Sequence, residues 1–375
     1  MNIVKLVIAF IFSISSWITP YAHIFLNGGV DNLFEEWSEE QEYTADYAVE
    51  LQKTPGKDFK VLNIADVQLS ANEVYGDYGA IAEDTLKRTI EEVKPDLITL
   101  SGDNSWCDSG YIRLVEYIDS FGVPWAPVMG NHDGNNGNKL KEAWDSCLFL
   151  KAKNCVFKFG PKDMGFGNYV INITENGKIV HTLFMMDTHS GASDTEAGKI
   201  NIAPDGTSGY DHLWQNQIDW YRWAVNGTTA LNNGQTVESS VIFHIPVNEY
   251  RAAMAAACNV VYDEKGFVTS GTIKEEYADN AFGSNDEWVC SPEGNNGFFT
   301  IAKELGSTKN MIAGHEHVNN LSVEYEGIRL TYSLKCGPGC YWDPQKNGGT
   351  VLTIDSDGHG TVSHHFVTPM TVEDK

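Results

Sequence analysis

Three short apolar segments in the first half of the chain each run directly into a cluster of polar residues. Residues 60–65, 97–100 and 124–129 have the composition of buried strands, and the spacing of apolar residues in 83–93 and 111–121 predicts helices between them. The order strand, helix, strand, helix, strand is typical of parallel strands joined by helical crossovers. Because the carboxyl ends of neighbouring parallel strands share one edge of a sheet, the polar clusters are predicted to meet in space. These clusters are Asp66-Val67-Gln68, Gly102-Asp103-Asn104 and Gly130-Asn131-His132-Asp133.

The second half of the chain repeats this arrangement less regularly, and two of its predicted strands end in histidines. His244 follows one strand, and His315 and His317 follow another. We therefore predict an α/β fold in which two mixed sheets pack face to face and helices cover their outer faces. The predicted elements are strands at 169–173, 179–186, 239–243 and 310–313, a helix at 210–225 and short strands within 321–367.

The charge balance argues against two classes of partner. The chain has 375 residues, with 26 Lys and Arg against 51 Asp and Glu, so its formal net charge is −25. A nucleic acid or an anionic membrane surface would repel such a chain. Hydrophobic residues make up 42% and charged residues 21%, which argues against disorder and against a polytopic membrane protein. The length fits one large α/β domain, which we prefer to two small ones.

The first 22 residues have the order of a secretory signal peptide. An early cation, Lys5, precedes an apolar stretch at 6–18, and Ala22 ends the segment. Cleavage is predicted, so the protein is expected to be secreted or to reach the lumen of the secretory or vacuolar pathway. An uncleaved membrane anchor is the alternative, since the apolar stretch can be extended as far as Leu26.

The chain is accordingly divided into three parts. The signal segment covers 1–22, an acidic lead-in covers 23–57, and one domain covers 58–375. The acidic residues at 35–50 are expected on a solvated helical face. Residues 53–57 predict a turn into the domain.

Export makes disulfides the expected state of the cysteines, which contain no C-x-x-C pair. Spacing along the chain suggests three pairs and leaves Cys107 over. The three pairs are Cys147 with Cys155, Cys336 with Cys340, and Cys258 with Cys290. Asn172, Asn226 and Asn320 begin N-x-[ST] triplets and are candidate glycosylation sites.

The residues expected at the strand ends have the chemistry of a metal centre. Mixed oxygen and nitrogen donors suit Mn²⁺, Fe or Zn²⁺ and contain too much nitrogen for a Ca²⁺ site. Seven candidates are too many for one tetrahedral ion but fit two ions about 3.5–4 Å apart, as in centres that catalyse phosphoryl displacement. Asp103, on the middle cluster, is the natural bridge between the ions. The seven candidate ligands are Asp66, Gln68, Asp103, Asn131, His244, His315 and His317.

The ordered motifs resemble those of the calcineurin-like metallophosphoesterases, and intervening segments resemble a branch that includes purple-acid-phosphatase-like proteins. The family pattern is D-x-[HQ], GD, GNH[DE], a single His after a strand, and GHxH, and the similarity covers roughly residues 58–367. The resemblance implies a four-layer sandwich fold. It also implies that His132 donates a proton to the leaving group, with Asp133 supporting it. The implied ligands are Asp66, Gln68, Asp103 and His317 for one ion, and Asp103, Asn131, His244 and His315 for the other.

Two residues depart from the commonest family pattern. Gln68 stands where most members have His, and since an amide oxygen is a harder ligand than imidazole, Mn²⁺ is favoured. Trp106 stands where purple acid phosphatases have the tyrosine that ligates ferric iron, so a purple site is not expected.

The sequence predicts an enzyme with two metal ions that hydrolyses a small phosphorylated substrate, most simply a phosphate monoester. A phosphodiesterase or nucleotide diphosphatase is one alternative, and a non-catalytic scaffold of the same fold is another. No protein partner is inferred. Singly, the aspartates could be helix caps and the histidines surface or core residues. Further substrate contacts are expected from Asn104, Trp106 and His189. The residues assigned instead to packing or to the surface are Tyr210, Trp214, Trp220, Tyr341, His364 and His365.

Overall fold

The alternation of strands and helices predicted for the first half of the chain is present in the structure. The computed structural model describes residues 19–70, 78–134, 138–191 and 209–370. The strands are β1 Val49–Gln52, β2 Phe59–Ile64, β3 Leu97–Ser101, β4 Trp125–Val128, β5 Tyr169–Glu175, β6 Lys178–Met185, β7 Ser239–Ile242, β8 Cys258–Tyr262, β9 Val268–Ile273, β10 Ala281–Phe282, β11 Thr308–Ala313, β12 Ser322–Tyr325, β13 Ile328–Tyr332, β14 Gly348–Ile354 and β15 Gly360–Phe366. The helices are α1 Tyr78–Val93, α2 Asp108–Asp119, α3 Lys139–Phe149, α4 Gln215–Leu231, α5 Glu249–Ala257 and α6 Phe298–Leu305.

Two mixed sheets form the centre of the fold. The smaller has the order β15-β14-β2-β3-β4, and β2, β3 and β4 are parallel. The larger has the order β1-β5-β6-β7-β11-β13-β12-β10, and within it β6, β7, β11 and β13 are parallel neighbours. Strands β8 and β9 form a separate hairpin. Each sheet therefore contains a parallel block, which is the condition for polar strand ends to gather at one edge.

The sheets pack against each other and are covered by helices on their outer faces. Successive residues of β6 show this, because side chains alternate across a strand. Leu183 and Met185 belong to the core shared with the smaller sheet and with α1 to α3. Phe184 and Met186 belong to a second core shared with α4, α5 and α6. The two-sheet fold predicted from the sequence, and the four layers implied by the family resemblance, are thus confirmed.

The acidic lead-in does not form the predicted helical face. Only β1 and an isolated bridge interrupt an irregular path through residues 35–50. Aromatic residues among the acidic ones pack on α4: the ring centroids of Tyr47 and Trp223 lie 4.8 Å apart, and the Trp220 Nε1–H donates to the Tyr47 hydroxyl at 2.7 Å. Because burying such large rings outweighs a local preference for helix, the segment follows the surface of α4 instead. The turn predicted at 53–57 is present, with the Lys57 amide donating to the Thr54 carbonyl at 3.1 Å.

The predicted helix at 210–225 begins five residues late. The Gln217 side chain accepts a hydrogen bond from the Trp214 amide at 2.7 Å and so caps the helix at Gln215. Tyr210 and Trp214 therefore lie in the loop before α4 and not in its core, whereas Trp220 is buried as predicted. The strands and α-helices that were not predicted from the sequence are β1, α3, α5, the β8–β9 hairpin, β10 and α6.

The disulfide prediction is wrong for all three pairs. Cys147, Cys155, Cys258, Cys290, Cys336 and Cys340 are all free thiols. The pairing was inferred from spacing, which does not fix the direction in which each Cβ points. In the last pair, Cys336 is buried in the core while Cys340 is exposed.

Two of the three glycosylation triplets are buried in the fold. Asn172 accepts a hydrogen bond from the Thr182 hydroxyl at 3.0 Å, and the Asn320 side chain accepts one from the Ser284 amide at 2.9 Å. Asn226, on α4, is exposed. His364, which was assigned to the surface, is also mostly buried and contacts the Thr350 hydroxyl, and burial lowers its pKa to about 4.

Most of the predicted signal segment, residues 1–18, lies outside the described residues. Residues 19–26 are helical and expose Phe25 and Leu26. None of the helices in the described ranges is both long enough and apolar enough to span a bilayer.

Candidate metal centre

The predicted ligands meet at the edge where the parallel blocks of the two sheets end. The smaller sheet supplies the residues that follow β2, β3 and β4, and the larger sheet supplies those that follow β7 and β11. All of these side chains are buried. The strand-end prediction therefore holds for every one of the seven candidates, which are Asp66, Gln68, Asp103, Asn131, His244, His315 and His317.

The first cluster contains Asp66, Asp103 and His317. One ligand atom from each residue lies within 4.8 Å of the others, and the His317 Nε2 is 3.5 Å from the Asp66 Oδ1. That Oδ1 atom is buried and has no hydrogen-bond partner. A buried carboxylate oxygen without a partner is costly unless a cation satisfies it. The cluster thus has the composition of a divalent cation site, and a cation bound there would satisfy the Asp66 Oδ1.

The second cluster contains Asp103, Asn131, His244 and His315. The His244 Nε2 lies 2.9 Å from the Asn131 Oδ1, 3.3 Å from the Asp103 Oδ1 and 3.3 Å from the His315 Nδ1. The His315 Nε2 is buried without a partner. Burial holds the pKa of His315 well below its ordinary value, which keeps this imidazole in the neutral form that binds metals. Four donor residues converge here, two with oxygen and two with nitrogen.

Backbone carbonyls orient two of the imidazoles. The His244 Nδ1 lies 2.9 Å from the Ser101 carbonyl oxygen, and the His317 Nδ1 lies 2.9 Å from the Tyr341 carbonyl oxygen. Nδ1 must carry the proton to make these hydrogen bonds. Nε2 is then unprotonated, and its lone pair is free to bind a metal ion in the cluster. This arrangement is usual for metal-binding histidines.

The backbone at the site is strained at the candidate ligands themselves. Asp66, Gln68, Asp103 and His315 have φ values of 53°, 46°, 50° and 78°. Such left-handed conformations are uncommon outside glycine and cluster at functional sites. The strain is held by contacts between the strand ends, such as the Gln68 amide donating to the Asp103 carbonyl at 2.9 Å.

The glycine of the GNHD motif is required by close contact between two strand ends. A Cβ added to Gly130 would lie 2.2 Å from the Asp103 amide nitrogen and 2.4 Å from the Asp103 Oδ1. Both distances are far shorter than any normal contact, and the first is to backbone that cannot easily move.

Replacing Gly130 by Ala is therefore expected to displace Asp103 and to weaken metal binding about tenfold to 100-fold. Isothermal titration of the metal-free protein with Mn²⁺ measures this. Gly191→Ala is the matched control, because a Cβ there would meet only one backbone oxygen, at 3.9 Å. Unchanged Mn²⁺ affinity in the Gly130 variant would contradict the proposed role of the contact.

His132 and Asp133 occupy different environments. His132 is exposed, its amide donates to the Asp103 Oδ1 at 2.9 Å, and its ring centroid lies 4.7 Å from that of Trp106. The buried Asp133 carboxylate accepts from the Gly130 amide at 2.8 Å and from the Asn104 side chain at 2.8 Å. Asp133 therefore holds the ends of β3 and β4 together, and its hydrogen bonds do not orient His132 as expected.

The three predicted substrate contacts differ in position. Asn104 is buried and bonded to Asp133, so its amide group is part of the framework. Trp106 lies on the rim beside His132, with its Nε1–H donating to the Gly339 carbonyl at 2.6 Å. His189 stacks on Trp214, with ring centroids 3.9 Å apart.

The structure also contains a cavity of about 450 Å³, whose lining includes none of the seven candidate ligands. His189, Trp214, Asp211, Phe166 and Glu142 are among the residues that line it. Tyr210 connects it to the clusters: it pairs with Gly191 of the cavity wall, and its ring centroid lies 4.4 Å from that of His315. Tyr210 and Trp214 were predicted to be core residues of a helix and instead belong to this region.

Lys335 is a further buried residue of the site and was not among the residues predicted from the sequence. This lysine is 2% exposed, and its Nζ donates to the Gln68 Oε1 at 2.8 Å and to the Asp66 carbonyl at 2.5 Å. Gln68 in turn donates from its Nε2 to the Asp103 Oδ2 at 3.0 Å. A strand-end signal was available, because Lys335 follows β13, which is parallel to β11.

The chain is similar to known proteins. The family model described as calcineurin-like phosphoesterase matches residues 59–319. The chain is 29% identical over 278 residues to the probable inactive purple acid phosphatase 14 of Arabidopsis thaliana, a match covering 67% of this chain and 61% of that protein. It is 26% identical over 340 residues to the phosphatase DCR2 of Saccharomyces cerevisiae, covering 82% of this chain and 52% of that protein. The chain thus spans about three fifths and about half of these two relatives.

Solved structures are similar to a lesser degree. A dimetal phosphatase from Danio rerio superposes with a TM-score of 0.47 at 12% identity, covering 82% of this chain and 99% of that one. The purple acid phosphatase PPD1 from yellow lupin gives a TM-score of 0.41 at 12% identity, covering 82% of this chain and 54% of that one.

Proposed function

The chain belongs to the calcineurin-like phosphoesterase family, in its purple-acid-phosphatase-like branch, and on that premise we propose that it is an enzyme that hydrolyses small phosphate monoesters. Two metal ions are the cofactors, and Mn²⁺ is the proposed species because aspartate and asparagine oxygens supply at least half of the donors in each cluster. The N-terminal pattern supports a secreted or lumenal location. The net charge of −25 makes nucleic acid an improbable substrate.

One observation carries the proposal. The buried Asp66 Oδ1 has no hydrogen-bond partner, although its carboxylate belongs to the first cluster and this oxygen lies 3.5 Å from the His317 Nε2. Native proteins rarely leave such atoms unmet. The residues present fit two cations: Asp66, Asp103 and His317 would hold one, and Asp103, Asn131, His244 and His315 the other.

The chain's own residues divide the remaining tasks of hydrolysis. When bound, the two ions supply charge neutralisation for the phosphate oxygens and lower the pKa of an attacking water. His132 is exposed at the edge of the clusters, where its imidazole can give a proton to the departing oxygen. Trp106 contacts the His132 ring and limits its positions. The cavity beside His189 has room for the organic part of a monoester.

A second candidate is a metal-binding protein that has lost catalysis. Several relatives carry the word inactive in their names, among them the probable inactive purple acid phosphatases 14 and 29 of Arabidopsis thaliana. Against this, His132 and the full set of candidate ligands are present in this chain. A measurement of activity together with metal content separates the two.

The test is hydrolysis of p-nitrophenyl phosphate and of bis-p-nitrophenyl phosphate by the full chain with added Mn²⁺. We expect the monoester to be cleaved at least about tenfold faster, because two ions and His132 suffice for a monoester. Faster cleavage of the diester would favour the phosphodiesterase alternative. A folded protein that binds metal but cleaves neither substrate would support the non-catalytic alternative.

A further inference from the structure

The first metal cluster lies beside a buried positive charge. The side chain of Lys335 reaches from the end of β13 to the backbone of Asp66, where its ammonium group donates at 2.5 Å. The isolated bridge between Ala65 and Lys335 and the Cys336 amide, which donates to the Ala65 carbonyl at 3.0 Å, fix the backbone around the lysine. The ammonium group is therefore held in place by both sheets.

This ammonium group determines the orientation of Gln68. A lysine ammonium has only donors, so the Gln68 atom that faces it at 2.8 Å must be the carbonyl oxygen. The amide NH₂ of Gln68 then points at the Asp103 Oδ2, 3.0 Å away. An NH₂ group cannot ligate a cation. In this orientation the first cluster keeps three protein ligands, Asp66, Asp103 and His317.

The second cluster differs from the first in its number of ligands and in its charged neighbours. It keeps all four of its donor residues, two of them imidazoles. Within the described ranges, no lysine or arginine hydrogen-bonds to Asn131, His244 or His315. A divalent ion at this cluster meets one more ligand and less repulsion than an ion at the first.

We propose that Lys335 makes the two metal sites unequal, so that the second cluster binds its ion tightly and the first binds its ion weakly and exchangeably. The inference rests on the proposed function, since it takes both clusters to be metal sites. Two effects act in the same direction: the lysine repels a second cation, and it withholds the Gln68 oxygen from that cation. Lys335 is thus a positioning residue that sets how much of the protein carries both ions at a given metal concentration.

Titration of the metal-free full chain with Mn²⁺, followed by calorimetry, tests this. The wild-type protein should show two classes of site whose dissociation constants differ at least about tenfold. Lys335→Gln removes the charge and keeps a donor for the Asp66 carbonyl. It should tighten the weak class about tenfold or more and leave the tight class within about twofold.

Two further variants separate the effect of the Lys335 charge from a general effect of removing a buried lysine. Lys335→Met should tighten the weak class in the same way if the charge is what matters. Lys53→Met removes another fully buried lysine, which pairs with Glu175 at 2.6 Å away from both clusters, and should leave both Mn²⁺ affinities unchanged. Thermal melting of each variant reports on folding.

The outcomes separate this inference from the proposed function. Equal affinities in the wild-type protein, or a weak class that loosens or does not change in Lys335→Gln, would overturn the role of Lys335 even if the protein hydrolyses phosphate esters. Unequal sites that become more alike in the variant would support it even if no hydrolysis is found. Since the wild-type titration alone can overturn the inference, misfolding of a variant does not leave it undecided.

Discussion

Replacing Asp103 by Asn is expected to abolish the binding of both metal ions and to reduce the hydrolysis of p-nitrophenyl phosphate by about 10³-fold or more. The Asp103 carboxylate faces both clusters. Its Oδ1 lies 3.3 Å from the His244 Nε2 of the second cluster. In the first cluster, its ligand atom lies within 4.8 Å of those of Asp66 and His317.

The size of this effect follows from the chemistry of the substitution. Asn has the same shape as Asp, so the tight packing against Gly130 is retained. One oxygen is replaced by an NH₂ group, and the negative charge that offsets two cations is lost. Because each cluster depends on this residue, the two sites should fail together, whereas loss of an unshared ligand should affect one site more than the other.

Metal content after dialysis against Mn²⁺, measured by mass spectrometry, checks the binding, and steady-state kinetics checks the activity. Asp119→Asn is the matched control. The Asp119 carboxylate accepts from the Asn154 amide at 2.7 Å and from the Trp125 indole at 3.1 Å, at the amino end of β4 and so at the opposite edge of the sheet. It should cost stability without cost to metal content. Full retention of one ion in the Asp103 variant would show that this residue is not the bridge.

The residues that converge could be predicted from the sequence, because convergence depends on where parallel strands end and not on side-chain geometry. Parallel strands place their carboxyl ends at one edge, so any polar residue that follows such a strand is a candidate. Asp66, Asp103 and Asn131 on one sheet, and His244 and His315 on the other, obey this rule. The face-to-face packing of two sheets was predicted from the order of the elements, and the family resemblance added the four-layer arrangement.

The orientation of side chains within the site could not be predicted from the order of residues. Gln68 was expected to ligate a cation, but the contact with Lys335 turns its oxygen away from the cluster. Asp133 was expected to support His132, but its carboxylate bonds to Gly130 and Asn104. Both outcomes depend on hydrogen bonds between residues that are distant in sequence or on backbone amides, which no residue pattern encodes.

The largest errors in the predicted fold concern segments whose aromatic residues are buried by tertiary contacts. Tyr47 sits in an acidic segment that looks solvated, yet its ring packs on Trp223. Trp214 has helical spacing with its neighbours, yet it stacks on His189 beside the cavity. In each case the ring packs against a ring from another part of the chain, and this contact outweighs the local sequence pattern.

His132 differs from the candidate ligands because it contacts the clusters through its backbone amide and not through its side chain. Its amide donates to the Asp103 Oδ1 at 2.9 Å, and its imidazole is exposed and contacts Trp106. Any residue other than proline keeps that amide. A substitution of the side chain should therefore leave the metal ligands in place, which allows proton donation to be tested apart from metal binding.

Replacing His132 by Ala is expected to lower kcat by about 10²–10⁴-fold for an alkyl phosphate while leaving the Mn²⁺ content unchanged. An alkoxide is a poor leaving group and needs a proton as the bond to phosphorus breaks. The p-nitrophenolate ion leaves without one, so the loss for p-nitrophenyl phosphate should be smaller. Steady-state kinetics on both substrates measures the difference. His365→Ala, which removes a histidine paired with Glu92 at 3.0 Å on the surface, should change neither rate. Equal losses for the two substrates would mean that His132 does not donate the proton, and loss of metal would mean that its ring helps to hold the ions.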